Sequence, residues 1–207
     1  MSRASGRPAP RPRRRAAAGS AAASRGALRV VAGSVGGLRL DAPPGSATRP
    51  TADRVRQATF NALESLGVVE GARVLDAFAG SGALGIEALS RGADRATFVD
   101  SVAAARAVVE ANLRTTGLAA KARVVPGDGF RELAAAGPWD LVLLDPPYDY
   151  DRWPALLDAV ATSLAPGGVA VIESGHEVPL PASLEGIRVR RYGSTVVAFA
   201  SPAGATS

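Results

Sequence analysis

The chain has 207 residues, no Cys and a single His, His176. That excludes a disulfide framework, a thiol nucleophile and Cys-based zinc or iron–sulfur sites, and nearly excludes a Ser-His-Asp triad or a multi-His metal site. The net charge of +5 is uneven: residues 1–26 hold seven Arg and no acid, whereas the rest holds 17 basic and 19 acidic side chains. A basic arm beside a mildly acidic domain is a layout used for nucleic-acid binding, although 23 Arg against one Lys also fits GC-rich coding.

Residues 1–26 are Arg, Ala, Pro, Ser and Gly without aromatic or β-branched side chains, and read as a disordered basic arm. Residues 27–207 read as one domain, with a hairpin and helix over 27–70 and a core over 71–201. No apolar run is long enough to span a membrane, and the absence of Cys fits a cytoplasmic protein. A monomer without metal is expected.

Residues 27–40 predict two short strands around a Gly-Ser or Gly-Gly turn. Thr51 is placed as the cap of a helix reaching about Leu66, with Asp53 in its first turn and an apolar stripe of Val55, Ala58, Ala62 and Leu66. From residue 72 strands alternate with helices. The strands are Ala72–Asp76, Ala96–Asp100, Ala122–Val125, Leu141–Asp145 and Val169–Glu173. The helices are Ala83–Arg91, Val102–Thr115, Phe130–Ala136 and Trp153–Ala165. This alternation predicts an α/β fold with a parallel sheet covered on both faces. Ile187–Tyr192 and Thr195–Ala200 around Gly193-Ser194 predict a closing hairpin.

Four motifs fall at strand ends. In Val74–Gly85 a Gly-rich turn with Gly80 and Gly82 leads into a helix, a geometry that brings a ligand close to the backbone. NAD, FAD and S-adenosylmethionine folds all use such turns. Asp76 before the turn disfavours a pyrophosphate and suits an ammonium group. Asp100, 24 residues on, is placed for ribose hydroxyls, or for capping the next helix. In Gly127-Asp128-Gly129-Phe130, Asp128 could accept from an adenine amine beside the Phe130 wall, or simply form a turn. In Asp145-Pro146-Pro147-Tyr148 the Asp145 carboxylate and Pro146 carbonyl offer two acceptors to an NH2 group. Pro147 stiffens the turn, and Tyr148 offers a ring for a flat base.

The Asp-Pro-Pro-Tyr segment resembles the catalytic motif of class I S-adenosylmethionine-dependent amino methyltransferases. With the run Arg49-Pro50-Thr51-Ala52-Asp53-Arg54-Val55-Arg56 through Asn61, the Val74–Gly85 motif and the Arg-Tyr-Gly-Ser-Thr turn at 191–195, it resembles the bacterial 16S rRNA (guanine-N2)-methyltransferase family. Gln57 departs from the Glu expected there. The resemblance implies a Rossmann-like, mostly parallel seven-stranded sheet with an antiparallel last strand. It also implies S-adenosylmethionine as cofactor, and 16S rRNA or the assembling small subunit as partner. Asp145, Pro146, Pro147 and Tyr148 become candidate catalytic residues. Asp76, Phe78, Ala79, Gly80, Gly82, Asp100, Ser101, Gly127, Asp128, Gly129 and Phe130 become candidate cofactor ligands. Arg49, Thr51, Arg54, Arg56 and Asn61 become candidate RNA contacts. A DNA adenine-N6 methyltransferase and a non-catalytic RNA-binding assembly factor remain as alternatives.

Overall fold

The computed structural model describes residues 28–44 and 50–204; the basic arm and Arg49 lie outside the described residues, as does the side chain of Thr51. Within residues 28–40 the expected hairpin is reduced to one antiparallel bridge, Arg29 with Arg39. It is tied by Val30 N–H to the Leu38 carbonyl (2.9 Å) and Leu40 N–H to the Leu28 carbonyl (2.9 Å).

Helix α1 (Pro50–Ser65) begins one residue before Thr51, so Thr51 lies in its first turn and not at its cap. Proline suits that first position because its missing N–H would have no intrahelical partner there. The predicted stripe also needs correcting. Val55, Thr59, Phe60, Ala62 and Leu63 are buried, whereas Leu66 is 36% exposed. Arg56 shares the buried face.

The remaining elements are β1 (Arg73–Asp76), α2 (Ala83–Ser90), β2 (Arg95–Asp100), α3 (Ala103–Thr116), β3 (Ala122–Pro126), α4 (Gly129–Ala136), β4 (Trp139–Leu144), α5 (Trp153–Ser163), β5 (Leu164–Ser174), β6 (Leu184–Tyr192) and β7 (Thr195–Pro202). They form one seven-stranded sheet in the order β3-β2-β1-β4-β5-β7-β6. Strands β1 to β5 are parallel, and β7 runs antiparallel to both β5 and β6. The sheet is therefore the α/β arrangement that the strand–helix alternation predicts. Strand β5 starts earlier than expected, because Leu164 already pairs with Trp139 before the register shifts through Pro166-Gly167-Gly168.

Alternation along β4 shows how the two faces are filled. Leu141 and Leu143 join Phe60, Ile86, Phe98 and Phe199 on the α1–α3 side. Val142 and Leu144 join Leu133, Trp153, Leu156 and Leu157 on the α4–α5 side. A strand stretch buried on both faces has to be apolar throughout, as Leu141–Leu144 of β4 is. Gly85 allows α2 to lie directly on β2, since a Cβ there would come within 2.3 Å of the Phe98 ring. No helix among the described residues is long and apolar enough to cross a membrane.

The N-terminal segment is fastened to α2 by buried polar groups. Glu87 is fully buried and accepts from Val31 N–H (2.7 Å), Ala32 N–H (3.0 Å) and Arg91 Nε (2.7 Å). Arg56 stands 3.7 Å from the same carboxylate. Farther along, Asn112 accepts from Asp41 N–H (2.8 Å) and donates to the carbonyls of Asp41 (2.9 Å) and Ser81 (2.8 Å).

Candidate active site

The parallel strands end in acids. Asp100 closes β2, Asp76 closes β1, Asp145 follows β4, and Glu173 stands near the end of β5. The strand order makes these four neighbours along the carboxyl edge of the sheet. Ligands of open α/β sheets bind at this edge, just outside the strand ends.

The first turn is held by its own carboxylates. Asp76 is buried, and its Oδ2 accepts from Gly85 N–H (2.9 Å). Its Oδ1 is enclosed with no hydrogen-bond partner. Asp100 Oδ2 accepts from Gly80 N–H (2.8 Å), while Oδ1 accepts from Val102 N–H (2.8 Å). Gly82 N–H goes to the Ala79 carbonyl (2.6 Å), and Ala79 N–H to the Val99 carbonyl (2.9 Å). Gly80 (φ 53°) and Gly82 (φ 78°) both adopt the left-handed conformation that shapes this turn. Four turn amides are thus engaged by protein oxygens. A dinucleotide pyrophosphate would need such amides free.

Phe78 meets Tyr150 edge-on at 5.5 Å, and Tyr150 meets Trp153 at 5.3 Å, which joins the turn to α5. Ser101 is exposed beside Asp100, and its carbonyl accepts from Arg106 Nη1 (2.9 Å). Between Gly127 and Gly129, Asp128 caps α4 by accepting from Phe130 N–H (3.1 Å) and pairs with Arg152 (3.3 Å). Arg152 also lies over the Phe130 ring at 5.6 Å. Asp128 therefore forms the turn that the sequence permits, and its second oxygen faces a guanidinium.

Beyond β4, Asp145, Pro146, Pro147 and Tyr148 line a small cavity with Glu173 and His176. Pro146 is buried, which anchors the turn, while Tyr148 is 72% exposed and lies against Gly175. Asp145 has surface open to the cleft yet is crowded by protein, and this crowding pushes its carboxyl up to about 6. Burial pushes Asp76 up to about 7, the Gly85 N–H opposes the shift, and the Asp145 and Asp100 charges add to it. Burial and the Asp145 charge push Glu173 up to about 8 against the opposing pull of Arg56. Asp145 and Glu173 thus both lie above the usual carboxylate range, each pushed up by burial.

Glu173 was not singled out from the sequence. Its signal was an acid near the end of a parallel strand, the same feature that marks Asp76, Asp100 and Asp145. Arg56 needs the opposite correction. It is 5% exposed, donates to the Arg29 carbonyl (2.5 Å) and Asp53 (2.9 Å), and cannot present its charge to phosphate from there. Arg54 is exposed on α1. Asn61 is exposed too and accepts from Arg91 Nη1 (3.2 Å).

Residues 28–201 match the family model described as Conserved hypothetical protein 95. A Bacillus subtilis protein named "Putative rRNA methyltransferase YlbH" is 40% identical over 181 residues, covering 83% of this chain and 97% of that protein. The chain belongs to this family, that of the methyltransferase D proteins. Another methyltransferase D relative, "Ribosomal RNA small subunit methyltransferase D" of Escherichia coli K12, is 43% identical over 124 residues. That match covers 59% of this chain and 61% of the relative. The solved structure titled "Putative methyltransferase yhhF from Escherichia coli" superposes with a TM-score of 0.75 at 35% identity, covering 86% of this chain and 98% of that one.

Proposed function

We propose that this methyltransferase D family member transfers a methyl group from S-adenosylmethionine to the exocyclic N2 amine of a guanine in 16S rRNA. The observation that carries this reading is the Asp145-Pro146-Pro147-Tyr148 turn, which lines a cavity beside an edge of four carboxyls. When bound, S-adenosylmethionine supplies an electrophilic methyl group on a sulfonium.

The residues present fit a cationic ligand. The unpartnered Asp76 Oδ1 is an acceptor left for a donor, the edge is acidic, and the turn amides that would greet a pyrophosphate are already engaged. Asp76, Phe78, Ala79, Gly80 and Gly82 would hold the amino-acid end. Asp100 and Ser101 would hold the ribose, and Gly127, Asp128, Gly129 and Phe130 the adenine.

A guanine amine is a weak nucleophile because its lone pair is delocalised into the ring. Asp145 and the Pro146 carbonyl accept its two hydrogens and favour the positive charge that grows on nitrogen, and one of those protons then leaves through the Asp145 carboxylate to water, so that the product amine is neutral. Pro147 keeps the turn stiff. Tyr148, with its exposed ring, stacks the base so that the lone pair faces the donor. Arg49, Thr51, Arg54 and Asn61 are the RNA contacts proposed from the N-terminal run.

Nucleoside mass spectrometry of 16S rRNA tests the reaction. rRNA from cells lacking the gene should miss one N2-methylguanine and regain it with purified protein and S-adenosylmethionine. Methyl label entering DNA adenine instead would favour the DNA reading, and label entering nothing the scaffold reading.

The acidic edge gives a second expectation. A cation bound beside Asp76 draws its carboxyl, raised to about 7, toward the ionised form. Binding of S-adenosylmethionine at pH 7 should therefore release protons, and affinity should rise with pH through this range. Titration calorimetry in two buffers of different ionisation enthalpy reads the release. Equal apparent enthalpies would remove the carboxyls from the binding site.

A further inference from the structure

Strand β6 carries two arginines with no assigned role. Glu173 is paired with Val197, and Val197 with Arg190; Val171 is paired with Phe199, and Phe199 with Arg188. Directly paired residues share a sheet face, so Arg188 and Arg190 lie on the face that carries Glu173. Helix α1 crosses this face. Asn61 and Ser65 on α1, with Arg188, Arg190 and Tyr192 on β6, line a groove of about 230 Å³ floored by Phe199.

Neither arginine forms an ion pair among the described residues. Arg190 Nη1 reaches only the carbonyl of its neighbour Val189 (3.0 Å). Arg191, on the opposite face, is paired with Glu177 at 3.2 Å. With strands about 4.8 Å apart, Arg190 stands roughly 10 Å across the sheet from the Glu173 strand and roughly 14 Å from the Asp145 strand. A base seated at Asp145 would leave its flanking backbone within reach of this groove.

We infer that the groove between α1 and β6 holds the RNA strand next to the target nucleotide, with Arg188 and Arg190 on its phosphates. This rests on the rRNA reading above and extends its contact surface to the far edge of the sheet. Inward-facing charge on an edge strand also keeps that strand from pairing with another chain. The two roles fail differently when the charge is removed.

The test uses the full chain and an unmethylated 16S rRNA transcript. The Arg188→Gln/Arg190→Gln double variant should shallow the slope of log affinity against log salt by about 1.4, that is about 0.7 per lost phosphate contact. Its KM for RNA should rise, while kcat at saturating RNA and affinity for S-adenosylhomocysteine stay as in the native chain. Arg188→Lys/Arg190→Lys should restore the slope, and unchanged S-adenosylhomocysteine binding certifies that each variant is folded. An unchanged slope and KM would overturn the inference. So would self-association of the Gln variant with native RNA affinity in its monomer, the signature of edge protection. If the native chain itself shows no salt-dependent affinity for the transcript, the rRNA reading falls together with the groove. If only the variants behave as native, the groove alone falls.

Discussion

Asp145→Ala should reduce kcat by about 10²–10³ while leaving affinity for S-adenosylhomocysteine unchanged. That is the size of loss typical when one preorganised partner of developing charge is removed. The variant keeps Pro146 buried and the Gly80–Gly82 turn untouched, so the loss belongs to chemistry and not to folding. A pH profile sharpens the expectation. The Asp145 carboxyl lies at about 6, and its ionised form is the one that favours positive charge on the amine, while the Pro146 carbonyl takes the second hydrogen. For the native chain kcat/KM, which reports the free enzyme, should therefore fall as pH drops below about 6. Single-turnover methylation of the 16S rRNA transcript measures both effects. An Asp145→Ala chain with native turnover would remove this carboxylate from the reaction.

Glu87→Ala should destabilise the fold by about 3–5 kcal/mol, the usual loss when one partner of a buried ion pair is deleted. Arg56 and Arg91 are both almost fully buried beside Glu87, and would keep only the more exposed carboxylates of Asp53 and Glu64 as counter-charges. Val31 and Ala32 would lose their acceptor as well. Urea unfolding reads the loss in stability, and hydrogen exchange at Val31 and Ala32 reads the loosening of the N-terminal segment. A shift below about 1 kcal/mol would mean that water or the Asp53 carboxylate replaces Glu87 at little cost.

The parallel strands were legible because each carries a short apolar stretch, and because β4 is apolar at every position from Leu141 to Leu144. The Asp145–Tyr148 turn was legible for a related reason, since a carboxylate directly after a buried strand has nowhere to go but the sheet edge. Pairwise relations were harder to see. Glu173 becomes a neighbour of Asp145 only once β5 is laid beside β4, and the chain between them is an entire helix and its loops. Arg56 reads as surface charge on a polar helix until Glu87 and the Arg29 carbonyl, both distant in sequence, close around it. The α1 stripe was misjudged in the same way. Arg56, Phe60 and Leu63 lie four and three residues apart and share the buried face, whereas Leu66 stays 36% exposed. The arginines of β6 gave no signal at all, since their facing helix lies more than a hundred residues upstream.

One amide side chain connects the two ends of this machine. Asn112 grips the backbone at Asp41 and, with the same NH2 group, the carbonyl of Ser81 inside the glycine turn. The backbone at Asp41 and the loop proposed to seat the methyl donor thus share a fastening. Where the methyl donor and the RNA both hold this fastening in place, each raises the affinity of the other by the same factor. The gain is the same whichever of the two docks first.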